Sequence, residues 1–231
     1  PVLAGEKQFD EIILNETKWY EENGITLKSG AAVTRIDRVS RKVIAADGSE
    51  ADYDRLLIAT GSLPFILPLP GHELEGVIGF RTIADVDTML TAAKNYKNAV
   101  VIGGGLLGLE AANGLLNHGM KVSVIHLPEV LMERQLDEEA AKLLQAELEG
   151  RGLEIITAGN TEALLGETRV EKLKLQGGRE LDADLVVMAV GIRPNITLAK
   201  EAGLHCERGI VVGDTMQSFD PAIYAVGECV H

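Results

Sequence analysis

Six residues at positions 103–108 constrain this chain more than any other part of its sequence. The segment reads Gly103-Gly104-Gly105-Leu106-Leu107-Gly108 and fits the pattern G-x-G-x-x-G. An apolar run at 99–102 precedes it, a helix-favouring stretch from 109 to about 118 follows, and a second strand-like stretch occupies 121–126. This order predicts a βαβ unit in which the glycine loop joins the first strand to the helix.

Each glycine of such a loop has a physical role. Gly103 permits a tight turn, Gly105 lets the backbone approach a pyrophosphate, and Gly108 lets the helix pack closely on the strand. The helix N-terminus then presents N–H groups and the positive end of its dipole to phosphate oxygens. The loop therefore predicts dinucleotide binding, with an ordinary glycine turn in an α/β sheet as the alternative.

The residues after the loop leave the choice of nucleotide open. The second strand of such a unit normally ends in an acidic residue that binds the adenosine ribose, but here it ends at His126, with Glu129 close by. A neutral imidazole can hydrogen-bond a hydroxyl and a protonated one could accept a 2′-phosphate. His126 as an ordinary surface residue at the strand end is the alternative. Glu110, two positions past the last glycine, is a candidate contact to the nicotinamide end.

Composition and charge exclude several partner classes. Acidic residues outnumber basic ones 35 to 22 with no Lys/Arg stripe, and no apolar run approaches membrane-spanning length, so we expect no nucleic-acid partner and no membrane insertion. Cys206 and Cys229 form no CxxC, which favours free thiols in a reducing, cytoplasmic compartment. Neither metal-ligand spacing nor a nucleophile–base arrangement is found, so we predict no metal site and no catalytic side chain.

An internal repeat predicts two related domains. Residues 54–61, DRLLIATG, match residues 184–191, DLVVMAVG, and each copy places an aspartate seven residues before a glycine with an apolar strand between. We interpret the repeat as two nucleotide-binding domains, each ending a β-meander with a strand that enters a parallel sheet and is buried on both faces. Chance similarity between two buried strands is the alternative.

The remaining patterns predict helices, turns and one connection. A helix over 9–22 should direct Ile12, Ile13, Trp19 and Tyr20 toward a core. Thr82 and Asp85 form a capping pair. The other expected elements are a helix at about 137–149, hairpin turns at 40–41, 47–48 and 177–178, and a proline-rich connection between domains at 62–76.

Three segments together resemble the pyridine nucleotide-disulfide oxidoreductase family of flavoproteins. They are residues 57–62 (LIATGS), the glycine loop at 103–108, and residues 223–228 (IYAVGE). In that family the first and last belong to an FAD domain, and an NAD(P)H domain is inserted between them. The resemblance implies an α/β fold of two Rossmann-like domains with β-meanders: an incomplete, discontinuous FAD domain at 1–80 and 210–231, and an NAD(P)H domain at 81–209.

The resemblance also implies roles for single residues. Thr60 and Gly61 would lie near the FAD, and Gly227 and Glu228 near its ribityl–pyrophosphate part, where the family usually has Asp in place of Glu228. The full set of candidate cofactor-binding residues is Thr60, Gly61, Gly103, Gly105, Leu106, Leu107, Gly108, Glu110, His126, Val190, Gly191, Gly227 and Glu228.

Within the family, residues 131–137 (LMERQLD) resemble the large subunits of NAD(P)H-dependent nitrite reductases. That resemblance implies hydride transfer from NAD(P)H to FAD and, through an iron–sulfur cluster and sirohaem in other parts of a parent enzyme, reduction of nitrite to ammonia. The alternatives are a rubredoxin or ferredoxin reductase, an NADH oxidase, or a non-catalytic NAD(H)-binding module.

The family's first glycine-rich unit would stand before Pro1. We therefore expect an inactive fragment that holds FAD weakly or not at all. Its partners would be the nucleotide, the flavin, the remainder of the parent enzyme and a second copy in a homodimer.

Overall fold

The computed structural model describes residues 2–231. Within them the chain divides into two compact units. Unit 1 contains the N-terminal segment through Ile12 together with Pro64–Gly191, and unit 2 contains Ile13–Leu63 and Ile192–His231. Unit 2 thus consists of two sequence segments, and the larger part of unit 1 lies between them in the sequence. The predicted domain boundaries at residues 80 and 209 stay predictions.

Over residues 2–231 the chain forms fifteen strands and five α-helices. The strands are β1 (Val33–Asp37), β2 (Lys42–Ala45), β3 (Glu50–Asp52), β4 (Leu56–Ile58), β5 (Ser62–Pro64), β6 (Val77–Gly79), β7 (Asn98–Ile102), β8 (Lys121–Ile125), β9 (Glu154–Ile156), β10 (Thr161–Leu165), β11 (Lys172–Leu175), β12 (Glu180–Asp182), β13 (Leu185–Met188), β14 (Ile192–Pro194) and β15 (Ile223–Ala225). The helices are α1 (Thr17–Glu22), α2 (Ile83–Asn95), α3 (Leu106–Asn117), α4 (Glu138–Gly150) and α5 (Thr197–Glu201), with 3-10 turns at Asp10–Ile12 and Gly227–Cys229. In this described part of the chain, no helix has the length and apolar character needed to cross a membrane.

Unit 1 is built on a five-stranded parallel sheet in the order β6-β13-β7-β8-β9. Because alternate residues of a strand point to opposite faces, the sheet has two cores. Val101 and Val187 share one buried cluster with Leu115 of α3. Val100 shares the other with Leu173 of the antiparallel meander β10-β11-β12. The predicted α/β class, the meander and the burial of β13 on both faces are confirmed.

Local capping signals fix where the helices of unit 1 begin. The Thr82 hydroxyl accepts a hydrogen bond from the Asp85 N–H (3.2 Å), and the Asp85 carboxylate accepts one from the Thr82 N–H (2.7 Å). The Asp137 carboxylate accepts from the Ala140 N–H (2.8 Å) at the start of α4. Both side chains satisfy N–H groups that a helix leaves unpaired in its first turn, so the predicted capping pair is confirmed.

Unit 2 contains the antiparallel meander β1-β2-β3 and the pairings β4 with β15 and β5 with β14. Strands β4 and β15 run parallel, with Ile58 opposite Ala225. The prediction that β4 is buried on both faces is wrong, because Leu57 is 59% exposed. Among the described residues β4 has β15 as its single sheet neighbour, and Ile58 is the one residue of β4 that is fully buried in the core of this unit, with Leu56 partly buried against it.

The predicted helix over 9–22 is also wrong. A 3-10 turn ends at Ile12 and α1 begins only at Thr17. Ile12, Ile13 and Trp19 are exposed rather than directed to a core, and Tyr20 is half-buried. The chain passes from unit 1 to unit 2 at Ile12–Ile13, so a continuous apolar helix face would have no single core to pack against.

Candidate functional site

The glycine loop follows β7 at the point where the strand order of unit 1 reverses. The next strand in sequence, β8, lies on one side of β7, and β13 lies on the other. Gly103 has φ of +120° and donates its N–H to the Ile125 carbonyl (2.8 Å). A Cβ at Gly103 would lie 2.3 Å from the Ala189 carbonyl oxygen, and one at Gly108 would lie 1.9 Å from that of Gly103. Both positions therefore require glycine, and such crevices at the carboxyl edge of a parallel sheet bind ligands.

The start of α3 presents free backbone groups to the same crevice. Helix α3 begins at Leu106, three residues earlier than the sequence suggested, and its N-cap Gly105 contributes no side-chain cap. A Cβ built on Gly105 has no neighbouring atom within 4 Å. Leu106 and Leu107 are 61% and 41% exposed. The first-turn N–H groups, which lack intrahelical partners, thus face open space suited to an anion.

The middle glycine of the loop has a separate role that sequence reasoning missed. Gly104 accepts a hydrogen bond from the Met132 N–H (3.1 Å). A Cβ at Gly104 would lie 2.5 Å from a methyl carbon of Leu131, whose side chain is fully buried. The segment 131–137 is therefore packed directly on the glycine loop, and position 104 is glycine because of that contact. The only sequence signal of this contact was a glycine at position 104, where the G-x-G-x-x-G pattern accepts any residue.

His126 joins the same two segments through its ring. The Gly104 N–H donates to Nδ1 (2.9 Å), and Nε2 lies 3.0 Å from Glu133 Oε2. Because Nδ1 accepts, the ring carries its proton on Nε2 and donates it to the carboxylate. His126 is 7% exposed. The prediction that it contacts a nucleotide ribose stays a prediction, and the structure adds that both ring nitrogens already have partners.

The other candidates of unit 1 lie around this edge of the sheet. Glu110 is on the exposed side of α3, one turn into the helix. Val190 is half-buried and Gly191 is exposed with φ of +130°, just after β13. The Gly191 carbonyl accepts from the Phe65 N–H (2.9 Å). Their roles as nicotinamide contacts stay predictions.

The four candidates of unit 2 follow the paired strands β4 and β15. Since these strands are parallel, the residues that follow them lie at one edge. Thr60 Oγ1 donates to the Asn195 carbonyl (2.7 Å), and Ser62 Oγ donates to Glu228 Oε2 (2.9 Å). Gly61 and Gly227 both have positive φ, +62° and +80°. Sequence reasoning missed Ser62 and Asn195, because neither belongs to a motif that names its partner.

The two cysteines are free thiols. Cys229 is buried, with its sulfur 3.2 Å from the Val226 carbonyl oxygen. Burial raises the pKa of the Cys206 thiol, which lowers the fraction of reactive thiolate at neutral pH.

Comparison with known proteins agrees with this geometry. The pyridine nucleotide-disulphide oxidoreductase family matches residues 1–231. The chain belongs to this family. It is 55% identical over 228 residues to a nitrite reductase [NAD(P)H] of Bacillus subtilis, covering 99% of this chain and 28% of that protein. It is 49% identical to the assimilatory nitrate reductase electron transfer subunit of the same organism, covering 99% and 30%.

Among solved structures, a ferredoxin reductase for the CYP199A2 system of Rhodopseudomonas palustris superposes with a TM-score of 0.92 at 30% identity. The match covers 99% of this chain and 56% of that one. The family members therefore share the fold over the whole chain, while this chain spans under a third of the two curated relatives. The resemblance to this oxidoreductase family, read from residues 57–62, 103–108 and 223–228, is confirmed.

Proposed function

We propose that this chain binds NAD(P)H in unit 1 and serves a flavoprotein oxidoreductase that transfers hydride from NAD(P)H to FAD. The observation that carries the proposal is the open space at Gly105, at the uncapped N-terminus of α3. Gly103 and Gly108 close the loop tightly on either side, so the backbone at Gly105 is free to approach a pyrophosphate.

Each group of residues would have a separate task. The first turn of α3 would bind the pyrophosphate, while Glu110, Val190 and Gly191 would orient the nicotinamide. In unit 2, Thr60 and Gly61, with Gly227 and Glu228, would contact the flavin. The nucleotide supplies the hydride and the flavin accepts it, so the protein's part is binding, orientation and exclusion of water. No side-chain nucleophile is needed.

A second, more specific proposal concerns the substrate that the whole protein reduces. We assign nitrite, reduced to ammonia, on the 55% identity to a protein named nitrite reductase. The iron–sulfur cluster and sirohaem of that reaction are assigned to no residue of this chain. A ferredoxin or rubredoxin reductase is the second candidate, supported by the superposition on a ferredoxin reductase. Oxidation of NAD(P)H by the whole protein with nitrite, ferredoxin, rubredoxin or dioxygen as acceptor separates these functions.

Nucleotide binding is tested by a matched pair of glycine substitutions. Gly105→Ala places a methyl group in the open space of the loop, and Gly150→Ala places one at the end of α4, where it also meets no atom within 4 Å. We expect Gly105→Ala to weaken NADH binding about tenfold or more. Gly150→Ala should leave binding unchanged. NADH fluorescence titration measures both, with urea unfolding as the check on folding.

NADH binding of wild-type strength by the Gly105→Ala variant would refute the assigned pyrophosphate site.

Flavin binding is tested separately by the visible spectrum of the purified chain, recorded without oxygen before and after addition of NADH. We expect no flavin band, because the single G-x-G-x-x-G of these 231 residues lies in unit 1. A band that NADH bleaches would contradict that expectation.

A further inference from the structure

A carboxylate from another segment contacts the residue that follows strand β8. Strand β8 ends at Ile125 and is followed directly by His126, where a carboxylate is expected in an NAD site. The imidazole instead links Gly104 to the Glu133 carboxylate, at 2.9 and 3.0 Å. A carboxylate therefore stands one imidazole ring away from the glycine loop, although its residue is seven positions further along the chain.

Glu133 is held in place by its neighbours on both sides. Leu131 is fully buried, and the Met132 N–H is bonded to Gly104. Met132 has φ of +54°, a left-handed conformation that a side chain adopts only when its surroundings impose it. On the other side the Leu136 N–H bonds to the Met132 carbonyl (3.0 Å), just before Asp137 caps α4. The carboxylate thus has a fixed position.

Glu133 keeps capacity to accept a further hydrogen bond. His126 uses Oε2, and Oε1 lies 3.8 Å from Nε of Arg134, whose side chain is 86% exposed. The Glu133 side chain is 36% exposed, so a ligand can reach it. Glu129, the nearer acid in sequence, is exposed, and within residues 2–231 its carboxylate makes no hydrogen bond to the loop.

We propose that Glu133, positioned by His126, accepts the hydroxyl of the adenosine ribose and selects NADH over NADPH. The inference rests on the proposed nucleotide site of unit 1. A carboxylate accepts a hydrogen bond from a 2′-hydroxyl but repels a 2′-phosphate, because both are anions. The segment 131–137 thereby acts as a specificity element docked on the glycine loop.

The test uses ADP-ribose and 2′-phospho-ADP-ribose as probes, because neither carries the nicotinamide. Calorimetric titration of the 231-residue chain should show ADP-ribose bound more tightly. In Glu133→Gln, which retains the shape and an acceptor for His126, the preference should fall about tenfold or more, since a hydrogen bond to a charged group is lost and a repulsion removed. Glu129→Gln, the matched control, removes the same charge three residues past His126 and should leave the preference unchanged.

The outcomes separate the two proposals. If neither probe binds the wild-type chain, the proposed nucleotide site itself fails. If both bind and Glu133→Gln leaves their ratio unchanged, or Glu129→Gln shifts it equally, the role of Glu133 is refuted while the site stands. A wild-type preference for the 2′-phosphate that Arg134→Gln abolishes would also overturn it and make Arg134 the selecting residue.

The positioning role of His126 has its own readout. His126→Gln can accept from Gly104 and donate to Glu133, whereas His126→Phe keeps a ring and can do neither. We expect the preference for ADP-ribose to persist in the first variant and to weaken in the second. Equal preference in both, at unchanged unfolding free energy, would show that His126 has no part in placing the carboxylate.

Discussion

Residues 54–61 and 184–191 share one pattern and have different surroundings. Each follows a three-stranded antiparallel meander, and each enters a parallel pairing, as β4 and β13. Strand β13 has a neighbour on both sides, and Val187 is fully buried. Leu57, at the matching position of β4, is 59% exposed. The repeat determines the order of elements, whereas the number of neighbouring strands determines burial.

The largest effect that separates the two copies should come from a charge at this matched position. Val187→Asp buries an unpaired carboxylate in the apolar cluster that contains Val101 and Leu115, so we expect a loss of several kcal/mol, on the order of the whole stability of a small domain. Leu57→Asp should change the free energy of unfolding by less than about 1 kcal/mol. Urea unfolding followed by circular dichroism measures both variants.

An unfolded Leu57→Asp would contradict the comparison, since it would mean that an unseen contact covers that face of β4. A folded Val187→Asp of wild-type stability would show that the sheet of unit 1 tolerates water between its strands and its helices.

The second-largest effect is expected at the aspartates that begin the two copies, because their side chains differ in hydrogen bonding. Asp184 Oδ2 accepts from the Lys97 N–H (3.2 Å), the Asn98 N–H (2.9 Å) and the Asn98 amide (3.2 Å), all at the start of β7. Asp54 is exposed and has no such contacts among the described residues. Asp184→Ala should cost about 1–3 kcal/mol because it leaves those donors unpaired. Asp54→Ala should have little effect on the same urea midpoint.

Equal destabilisation by Asp184→Ala and Asp54→Ala would show that the shared aspartate stabilises the turn after the meander in both units. In that case the hydrogen bonds from the Lys97 and Asn98 N–H groups to Asp184 would contribute nothing measurable.

Much of unit 1 could be predicted because its signals are local. A capping pair at Thr82 and Asp85, a glycine loop between apolar runs, and the glycine pair at 177–178 each determine structure within a few residues. Strand β6 and the first meander strand β10 were missed, since β6 is only three residues long and β10 mixes Thr161 and Glu162 with apolar residues.

The parts that could not be predicted depend on tertiary contacts. Nothing in the sequence says that Leu131 packs on Gly104 or that His126 reaches Glu133. The exposure of one side of β4 could not be predicted from the sequence either, because a run of apolar residues does not show how many strands flank it. The glycine motif and the two other family segments, at 57–62 and 223–228, therefore indicated the candidate site from the sequence, while the contact of segment 131–137 with the glycine loop required coordinates.

The smallest predicted effect concerns the turn that leads into β15, the partner of β4. Asp220 accepts from the Ala222 N–H (3.0 Å) and from Arg38 Nε (2.8 Å), and these bonds lower the pKa of its carboxyl below the ordinary 3.8. Because the folded pKa is depressed, the stabilisation is present above pH 3.8 and is lost as pH falls through the folded pKa.

We expect Asp220→Asn to lower the stability of unit 2 by about 1 kcal/mol at pH 7 and by less at pH 3, below the ordinary pKa of the carboxyl. Arg38 and Arg41 are the charges that favour the ionised form. Hydrogen exchange of β15 amides at the two pH values measures the difference. A penalty that is independent of pH would assign the effect to packing of the side chain rather than to its charge.

The split of unit 2 across the chain has a consequence for biosynthesis. Leu56 pairs with Ile223, on the far side of the whole stretch Pro64–Gly191. On the ribosome, unit 1 can complete its sheet while the second part of unit 2 is still being translated. During that time β4 remains unpaired, because its partner β15 has not yet been synthesised. An apolar strand held open in this way is a site for chaperone binding or for mispairing with another nascent chain, so early folding of the inserted unit shortens the loop that unit 2 must finally close.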